Sequence, residues 1–364
     1  MRDLVDRVGA AHKRGMRQRY TYRAYPSMGQ QRRAARAFGC ARVVFNDYLV
    51  ASKAAYEAGV KVSSAELGRQ VTTLAKRTPE RAWLAQVSSV VLQQSVRDAQ
   101  AAFAAFYASV TGKRKGRKVG YPRLKSKHHH RQSIQLTRRG FSGLHQTTHG
   151  VGFVYLAGIG RVRFALSRPL PSEPTSVRLI RHADGTFELS FVVETAPAPS
   201  APAHDRVAGI DVGVKDLAAI VYSDGTREKI TNPRHLARRQ RVLARRQRAL
   251  ARKVTGSANR AKARVQVARA HAGVRHARTD FLHQLTTRLI RENQAIAVEM
   301  LSITGLARAG GPTAQGRRAW ADHRQGWQVR SHHPKVLHLP DRRRPQAAER
   351  AGLAVPEVPG RSGP

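Results

Sequence analysis

Two acidic residues stand out by position. Asp211 closes the run Arg206-Val-Ala-Gly-Ile-Asp211, and Glu299 closes Ala295-Ile-Ala-Val298-Glu299. Each is a carboxylate at the carboxyl end of a short apolar strand. An α/β sheet lays the ends of neighbouring strands along one edge, so the two can meet there. Carboxylate oxygen suits a hard cation that keeps several waters. A pair of carboxylates can hold Mg²⁺ ions about 3.5–4 Å apart, one activating a water and the other stabilising the leaving oxygen of a phosphodiester. A plainer role stays open: each acid can cap its strand or pair with a nearby arginine.

The second chemical feature is cationic. Between Gly112 and Lys127 lie Lys113, Arg114, Lys115, Arg117, Lys118, Arg123, Lys125 and Lys127, with three glycines, one proline and no acid. The glycines let backbone approach closely while cations converge, which fits phosphate contact better than a merely solvated loop. The stretch from Pro233 to Arg291 carries seventeen Lys and Arg against a single acid, Asp280. Arg238, Arg239, Arg245, Arg246, Arg252, Lys253, Arg260 and Lys262 are its candidate contacts to nucleic acid. His128-His129-His130 cannot all face one metal from a strand or helix, so they read as part of a polar loop.

The whole chain supports that reading. Its 364 residues hold 66 Lys+Arg against 23 Asp+Glu, a formal charge of +43. Such a charge self-repels unless a polyanion offsets it, and a polyphosphate backbone is the obvious partner. Arginine outnumbers lysine 52 to 14, a skew that favours guanidinium–phosphate forks and that GC-rich codons also produce. One cysteine, Cys40, excludes a disulfide framework and a Cys-based zinc ribbon in the chain as written. No apolar run is long enough to span a membrane and no secretion signal is present, so the expectation is a cytoplasmic protein.

The elements that must position these groups follow from periodicity. Residues 1–18 read as a flexible basic leader. Arg19–Tyr25 is a strand stopped by Pro26. Helices follow from about Gln30 to Tyr56, from a capping start at Ser63-Ser64-Ala-Glu66 to Leu74, and from Ser88 to Ser109. Short alternating segments recur at 133–136, 151–156, 161–166, 176–181 and 186–194, with Asp184-Gly185 as a hairpin turn before the last. The fold class is therefore α+β and multidomain: a small β-barrel from 19–28 and 112–194, with a helical lobe at 29–111 inserted into it. The Pro/Ala run through 195–205 is a linker to a second domain. There, strands at 206–211 and 217–222 precede a basic helix pair broken at Gly256-Ser257, with Leu236, Leu243 and Leu250 seven apart on a packing seam.

These residues also carry a family resemblance. Gly209-Ile-Asp211-Val-Gly213, followed by Lys215-Asp216-Leu-Ala218, resembles the first catalytic motif of the TnpB (OrfB) proteins of insertion sequences, which are ancestral to type V CRISPR nucleases. Asn232-Pro233-Arg234 and the arginine-rich helix pair are similar too, as is Leu289–Gln294 leading into Ala297-Val-Glu299-Met-Leu301. Upstream, Phe38–Arg42 with Asn46, Val87–Gln94 and Gly120–Lys125 resemble the family as well. Met300 departs from the family's usual Asp or Asn. The resemblance implies an oligonucleotide-binding-like barrel, a helical recognition lobe and an RNase H-like (RuvC) α/β domain at 206–306. It implies an RNA-guided, Mg²⁺-dependent DNA endonuclease whose partners are a guide RNA and a double-stranded DNA target. On that mapping Asp211 and Glu299 are the first two metal ligands.

The family also has a Cys₄ zinc ribbon and a last catalytic Asp, and neither is visible here, so the RuvC domain is incomplete. Residues 307–364 hold no Cys, Ile, Phe, Tyr or Met, and 14 of the 58 are Pro or Gly, which reads as a disordered tail. The genetic code offers a reason. Read one base later, Val336-Leu337 and Leu339-Pro340 yield Cys-x-x-Cys if their first codons are GTG and CTG. Val355-Pro356 and Val358-Pro359 yield a second, and Leu353-Ala354 a Trp just before it. The recovered pattern is a zinc ribbon, so the expectation is a frameshifted, truncated copy that binds nucleic acid and cleaves poorly. A non-catalytic nucleic-acid-binding regulator is the alternative. A single-strand transposase would need His-apolar-His and a nucleophilic Tyr, which the histidine run lacks.

Overall fold

The computed structural model describes residues 16–127, 129, 131–195, 205–213, 216–299 and 335–339. The leader to residue 15, the linker at 196–204, His128, His130, Lys215, Met300 and the rest of the tail lie outside the described residues. The chain divides into two units, Met1–Pro199 with Arg241–Gly273, and Ser200–Gln240 with Val274–Pro364.

The first unit is built on a seven-stranded antiparallel sheet in the order β2-β6-β7-β1-β5-β4-β3. Its strands are β1 (Met16–Tyr25), β2 (Gln132–Thr137), β3 (Phe141–Gln146), β4 (Val151–Leu156), β5 (Gly160–Ala165), β6 (Pro174–Arg181) and β7 (Phe187–Thr195). All five alternating segments become strands, and the Arg19–Tyr25 strand begins earlier, at Met16, pairing residue by residue with β7 from Thr195. The last three leader residues are therefore sheet. β3 is an addition that the sequence reading lacks. The strands expected to form a barrel make a curled antiparallel sheet, and among the described residues no ladder joins its end strands, β2 and β3. These two ends are nonetheless linked by the single 3₁₀ turn Arg138–Gly140, so the sheet curls far enough to bring them together.

Between β1 and β2 the chain forms three helices, α1 (Met28–Glu57), α2 (Ser64–Arg69, continued by a π-helical turn Gln70–Leu74) and α3 (Ser89–Val110). Ser27 starts α1 with a capping box: its hydroxyl accepts from the Gln30 N–H while the Gln30 side chain accepts from the Ser27 N–H. Ser63 caps α2 by accepting from the Glu66 N–H at 3.1 Å, as its spacing predicts. Alternation along the strands puts Leu136, Val154, Val162, Phe164, Leu179, Leu189 and Phe191 on one buried face with Tyr22, and α1 and α3 add Phe38 and Val91 to that core. A second core lies among the helices, around Val44, Leu84, Leu92 and Ala99. Packing is tight at Gly152, where a Cβ would fall 2.2 Å from the Phe164 ring.

The second unit has a five-stranded sheet in the order β10-β9-β8-β11-β12. β8 (Val207–Val212), β9 (Asp216–Tyr222) and β10 (Arg227–Thr231) are antiparallel neighbours, whereas β11 (Ala295–Glu299) runs parallel to β8 and β12 (Lys335–Leu339) parallel to β11. β12 corrects the reading of the tail at one place: Lys-Val-Leu-His-Leu, with three apolar residues in five, finds a pairing edge on β11. In sequence two helices intervene, α4 (His235–Ala251) and α5 (Ala258–Glu292), parted at Gly256 with φ +87°; their stretch Arg241–Gly273 belongs to the first unit. Leu285 and Leu289 of α5 pack with Ala208, Ile210, Ile220 and Ile296 of the sheet. No helix among the described residues is long and apolar enough to cross a membrane.

Candidate functional site

The acidic edge follows from strand register. β8 and β11 pair in parallel with Val298 opposite Ile210. One step further along each strand stand Asp211 and Glu299, so their backbones are neighbours at the carboxyl edge of the sheet, about 4.8 Å apart by ordinary strand spacing. Alternation buries Ala208 and Ile210 on the core side and leaves Asp211 exposed. The turn after Asp211 needs a glycine at 213, because a Cβ there would lie 2.9 Å from the Asp216 carbonyl oxygen. The backbone register thus brings two acidic positions of the sequence to neighbouring strand ends. Among the described residues no cluster of three or more His, Cys, Asp or Glu is present. The one cysteine, Cys40, is buried in α1, and burial pushes its thiol pKa up.

Toward the other end of β8, where Ala208 lies opposite Tyr222, the sheet is braced by a network that sequence reasoning missed. Arg288 of α5 donates to Glu228 at 2.8 Å, and the Tyr222 hydroxyl donates to the same carboxylate at 2.9 Å. The Arg206 guanidinium lies 3.7 Å over the Tyr222 ring and pairs with Asp224 at 3.0 Å. Arg288 holds the Glu228 carboxyl below the usual carboxylate range, with the Tyr222 hydroxyl assisting against partial burial. The signal in sequence was faint: these acids and arginines are scattered through a basic chain.

The basic loop lies in the first unit and is pinned at its foot. The Arg114 N–H donates to the Ala108 carbonyl, and the Val119 N–H to the Ser109 hydroxyl, both at 2.9 Å. Tyr121 sets its ring edge-on against Phe103 and Phe106. Asn46 then clasps the Lys125 backbone from both sides, donating to its carbonyl at 3.0 Å and accepting from its N–H at 2.8 Å. Lys113, Arg114, Lys115, Arg117, Lys118, Arg123 and Lys127 are exposed, and none pairs with an acid among the described residues. Lys125 is exposed as a residue too, but its ammonium sits 3.5 Å above the Phe45 ring, where partial desolvation lowers its pKa against the pull of Asp98. It anchors the loop as much as it offers a charge.

The α4–α5 cations also divide. Arg246 donates to the Gln266 carbonyl at 2.9 Å, and Arg260 to the Lys253 carbonyl at 2.7 Å and the Leu250 carbonyl at 3.3 Å. Arg260 thus caps carbonyls left open where α4 ends, and Arg246 ties α4 to the middle of α5. Arg238, Arg239, Arg245, Arg252, Lys253 and Lys262 remain exposed on the helices. Of the histidines, His129 is exposed and its ring contacts the Arg131 carbonyl at 2.8 Å.

With this geometry in hand, comparison with known proteins gives the class and then the family. A family model described as "Probable transposase" (OrfB, IS605 type) matches residues 190–310, and a companion model described as "Helix-turn-helix domain" matches 16–61. A Streptomyces pristinaespiralis protein described as "Putative RNA-guided DNA endonuclease" is 38% identical over 295 residues, covering 80% of this chain and 68% of the relative. A relative of the same description from Escherichia coli K12, InsQ, is 27% identical over 301 residues, covering 78% of this chain and 66% of its own length. The chain belongs to the TnpB/OrfB family of transposon proteins. It spans about two thirds of the length of these curated relatives. Among solved structures, a Cas12f1–sgRNA–target DNA complex aligns over 90% of both chains with a TM-score of 0.47 and 9% identity.

Proposed function

We propose that this chain is a TnpB-type protein that binds a guide RNA and a DNA target, and in which the DNA-cleaving step of its relatives is impaired. The observation that carries this reading is the contrast between a pinned loop of unpaired cations and an acidic edge of two carboxylates. The loop at 112–127 and the exposed cations of α4 and α5 bind the RNA backbone or the RNA–DNA heteroduplex, whose sequence is read by base pairing rather than by the protein. The second unit is read as an RNase H-like domain, supported by three antiparallel strands flanked by two parallel ones.

Asp211 and Glu299 are the residues that would hold Mg²⁺. When bound, the metal would supply an activated water and charge stabilisation at a phosphodiester. What the chain itself provides is two oxygen donors at one register position, with the Val212-Gly213 turn fixing the end of β8. A clamp for two cations needs more oxygen ligands than two carboxylates give, so cleavage suffers while binding persists.

The reading extends to residues 307–364 as the product of a reading-frame shift that removed the zinc ribbon and the last carboxylate. Two measurements test the proposal. Binding of RNA transcribed from the end of the element that carries the gene should weaken steeply with salt, with a log–log slope of roughly −0.7 per neutralised phosphate; salt-independent binding contradicts it. The gene should encode Val336 and Val355 with GTG, and any other codon at either position removes the frameshift.

A further inference from the structure

The sheet of the first unit turns one face to its core and leaves the other exposed along β4, β5 and β1. Register fixes which residues share that outer face. Phe153 stands opposite Arg163, Tyr155 opposite Arg161, and Tyr25 opposite Arg163 from the other side. Residues paired across an antiparallel ladder project to the same side, and their strand neighbours Val154, Val162, Phe164 and Ala24 are buried on the other. Tyr25 is 52% and Tyr155 47% exposed, so two large rings stay in water although the sheet has a core to fill.

Rings and guanidiniums alternate across this face. The Arg161 guanidinium lies 4.5 Å from the centre of the Phe153 ring, and that of Arg163 lies 5.7 Å from the centre of the Tyr25 ring. Held against rings, the two forks are ordered before any ligand arrives. Neither pairs with an acid among the described residues, and β1, β4 and β5 contain no Asp or Glu. Across β1 the same face changes character. Glu188 of β7 stands opposite Arg23, Glu194 pairs with Arg17 at 3.0 Å, and Ser190 and Ile180 are buried. Acids offset the cations on the β1–β7 half, whereas exposed rings and unpaired guanidiniums share the β4–β5 half.

We propose that this half-face, centred on Tyr25, Phe153 and Tyr155, is a stacking platform for unpaired nucleotides of the bound RNA. The proposal rests on the RNA-binding reading above and adds where a single-stranded stretch of that RNA lies. Cations alone would take the backbone of a duplex equally well, so the rings decide. An unpaired base offers its π-face to an aromatic ring or to a guanidinium plane, whereas a base inside a duplex has both faces covered. Phe153 and Tyr155 are two residues apart on one strand, about 6.8 Å. One base covers Tyr155 directly, and the next stacks on the guanidinium that lies over Phe153. Arg163, between Phe153 and Tyr25, takes the phosphates. Stacking of this kind tolerates any base, so the platform grips a strand without reading it.

The test uses the full chain with labelled oligouridine of about twelve nucleotides and an RNA duplex of about the same length, read by fluorescence anisotropy at moderate salt. Tyr25→Thr combined with Tyr155→Thr keeps β-branched residues at exposed strand positions, and the melting temperature records that the variant folds. It should weaken oligouridine binding by about tenfold or more and leave duplex binding unchanged. Its salt slope should also stay as it was, since no charge is removed. Tyr25→Phe with Tyr155→Phe returns the rings without their hydroxyls and should restore the affinity. Tyr56→Gln removes a ring that is 84% exposed on α1, away from the sheet, and should change nothing. Arg161→Gln with Arg163→Gln gives an independent reading: the log–log salt slope for oligouridine should flatten by roughly 0.7 per cation removed. Undiminished oligouridine affinity in the threonine variant, an equal loss for the duplex or in Tyr56→Gln, or an unchanged slope in the arginine variant overturns the proposal while leaving RNA binding intact. Absence of binding to either RNA at low salt overturns the RNA-binding reading, and the platform with it.

Discussion

The basic loop of the first unit is tied down by side chains from two helices: Asn46 grips Lys125, Phe45 lies under its ammonium, and Phe103 and Phe106 hold Tyr121. The acidic edge of the second unit instead takes its geometry from backbone register, Val298 opposite Ile210 with Asp211 and Glu299 one step on. A surface of many cations loses affinity gradually as single contacts are removed. A metal site loses its chemistry when one ligand goes. On the proposed reading, removing ligands from the edge would cost cleavage before binding, and four perturbations test the contrast.

The largest effect is structural. Phe164→Ala empties the centre of the first unit's core, where the ring packs against Tyr22 and Phe191, and should cost about 3–5 kcal/mol in denaturant unfolding. Replacing Lys113, Arg114, Lys115, Arg117 and Lys118 together by alanine should weaken RNA binding on the order of a hundredfold at moderate salt and flatten its salt dependence. Asn46→Ala removes both hydrogen bonds to the Lys125 backbone. It should cost about 1–2 kcal/mol and speed hydrogen exchange at the Lys125 amide without altering the other loop charges.

The smallest effect is a pH dependence in the second unit. Glu228 has a lowered pKa in the folded chain, so its contribution is present above the ordinary carboxylate pKa and lost as pH falls through the lowered value. Because the Arg288–Glu228 pair is partly exposed, about 0.5–1 kcal/mol is at stake. Arg288→Ala should remove that part of the acid sensitivity, as seen in urea midpoints measured at several pH values.

Much of the architecture was legible because its signals are local. Alternation gave β4 through β7, Asp184-Gly185 gave their last turn, and Ser63 with Glu66 gave a helix start. β3 escaped because Gly143 adopts φ +57° and the register slips between Ser142 and His145, which breaks the alternation. β12 escaped because five residues inside a Pro- and Gly-rich tail give no period, and the strand exists only by virtue of the edge that β11 offers. The acidic strand ends could be read one at a time, but their adjacency is a matter of register. Arg246 and Arg260 looked like phosphate contacts because charge, not partner, is what a sequence displays.

The central claim is that binding and cleavage have parted in this chain. Its most direct test is a nicking assay with the full chain, a guide transcribed from the element's end, matched double-stranded DNA and Mg²⁺, with RNA binding measured on the same sample. The account predicts salt-sensitive RNA binding with little or no cut DNA, and no change in either on Asp211→Ala. Robust metal-dependent cutting that Asp211→Ala abolishes would contradict it.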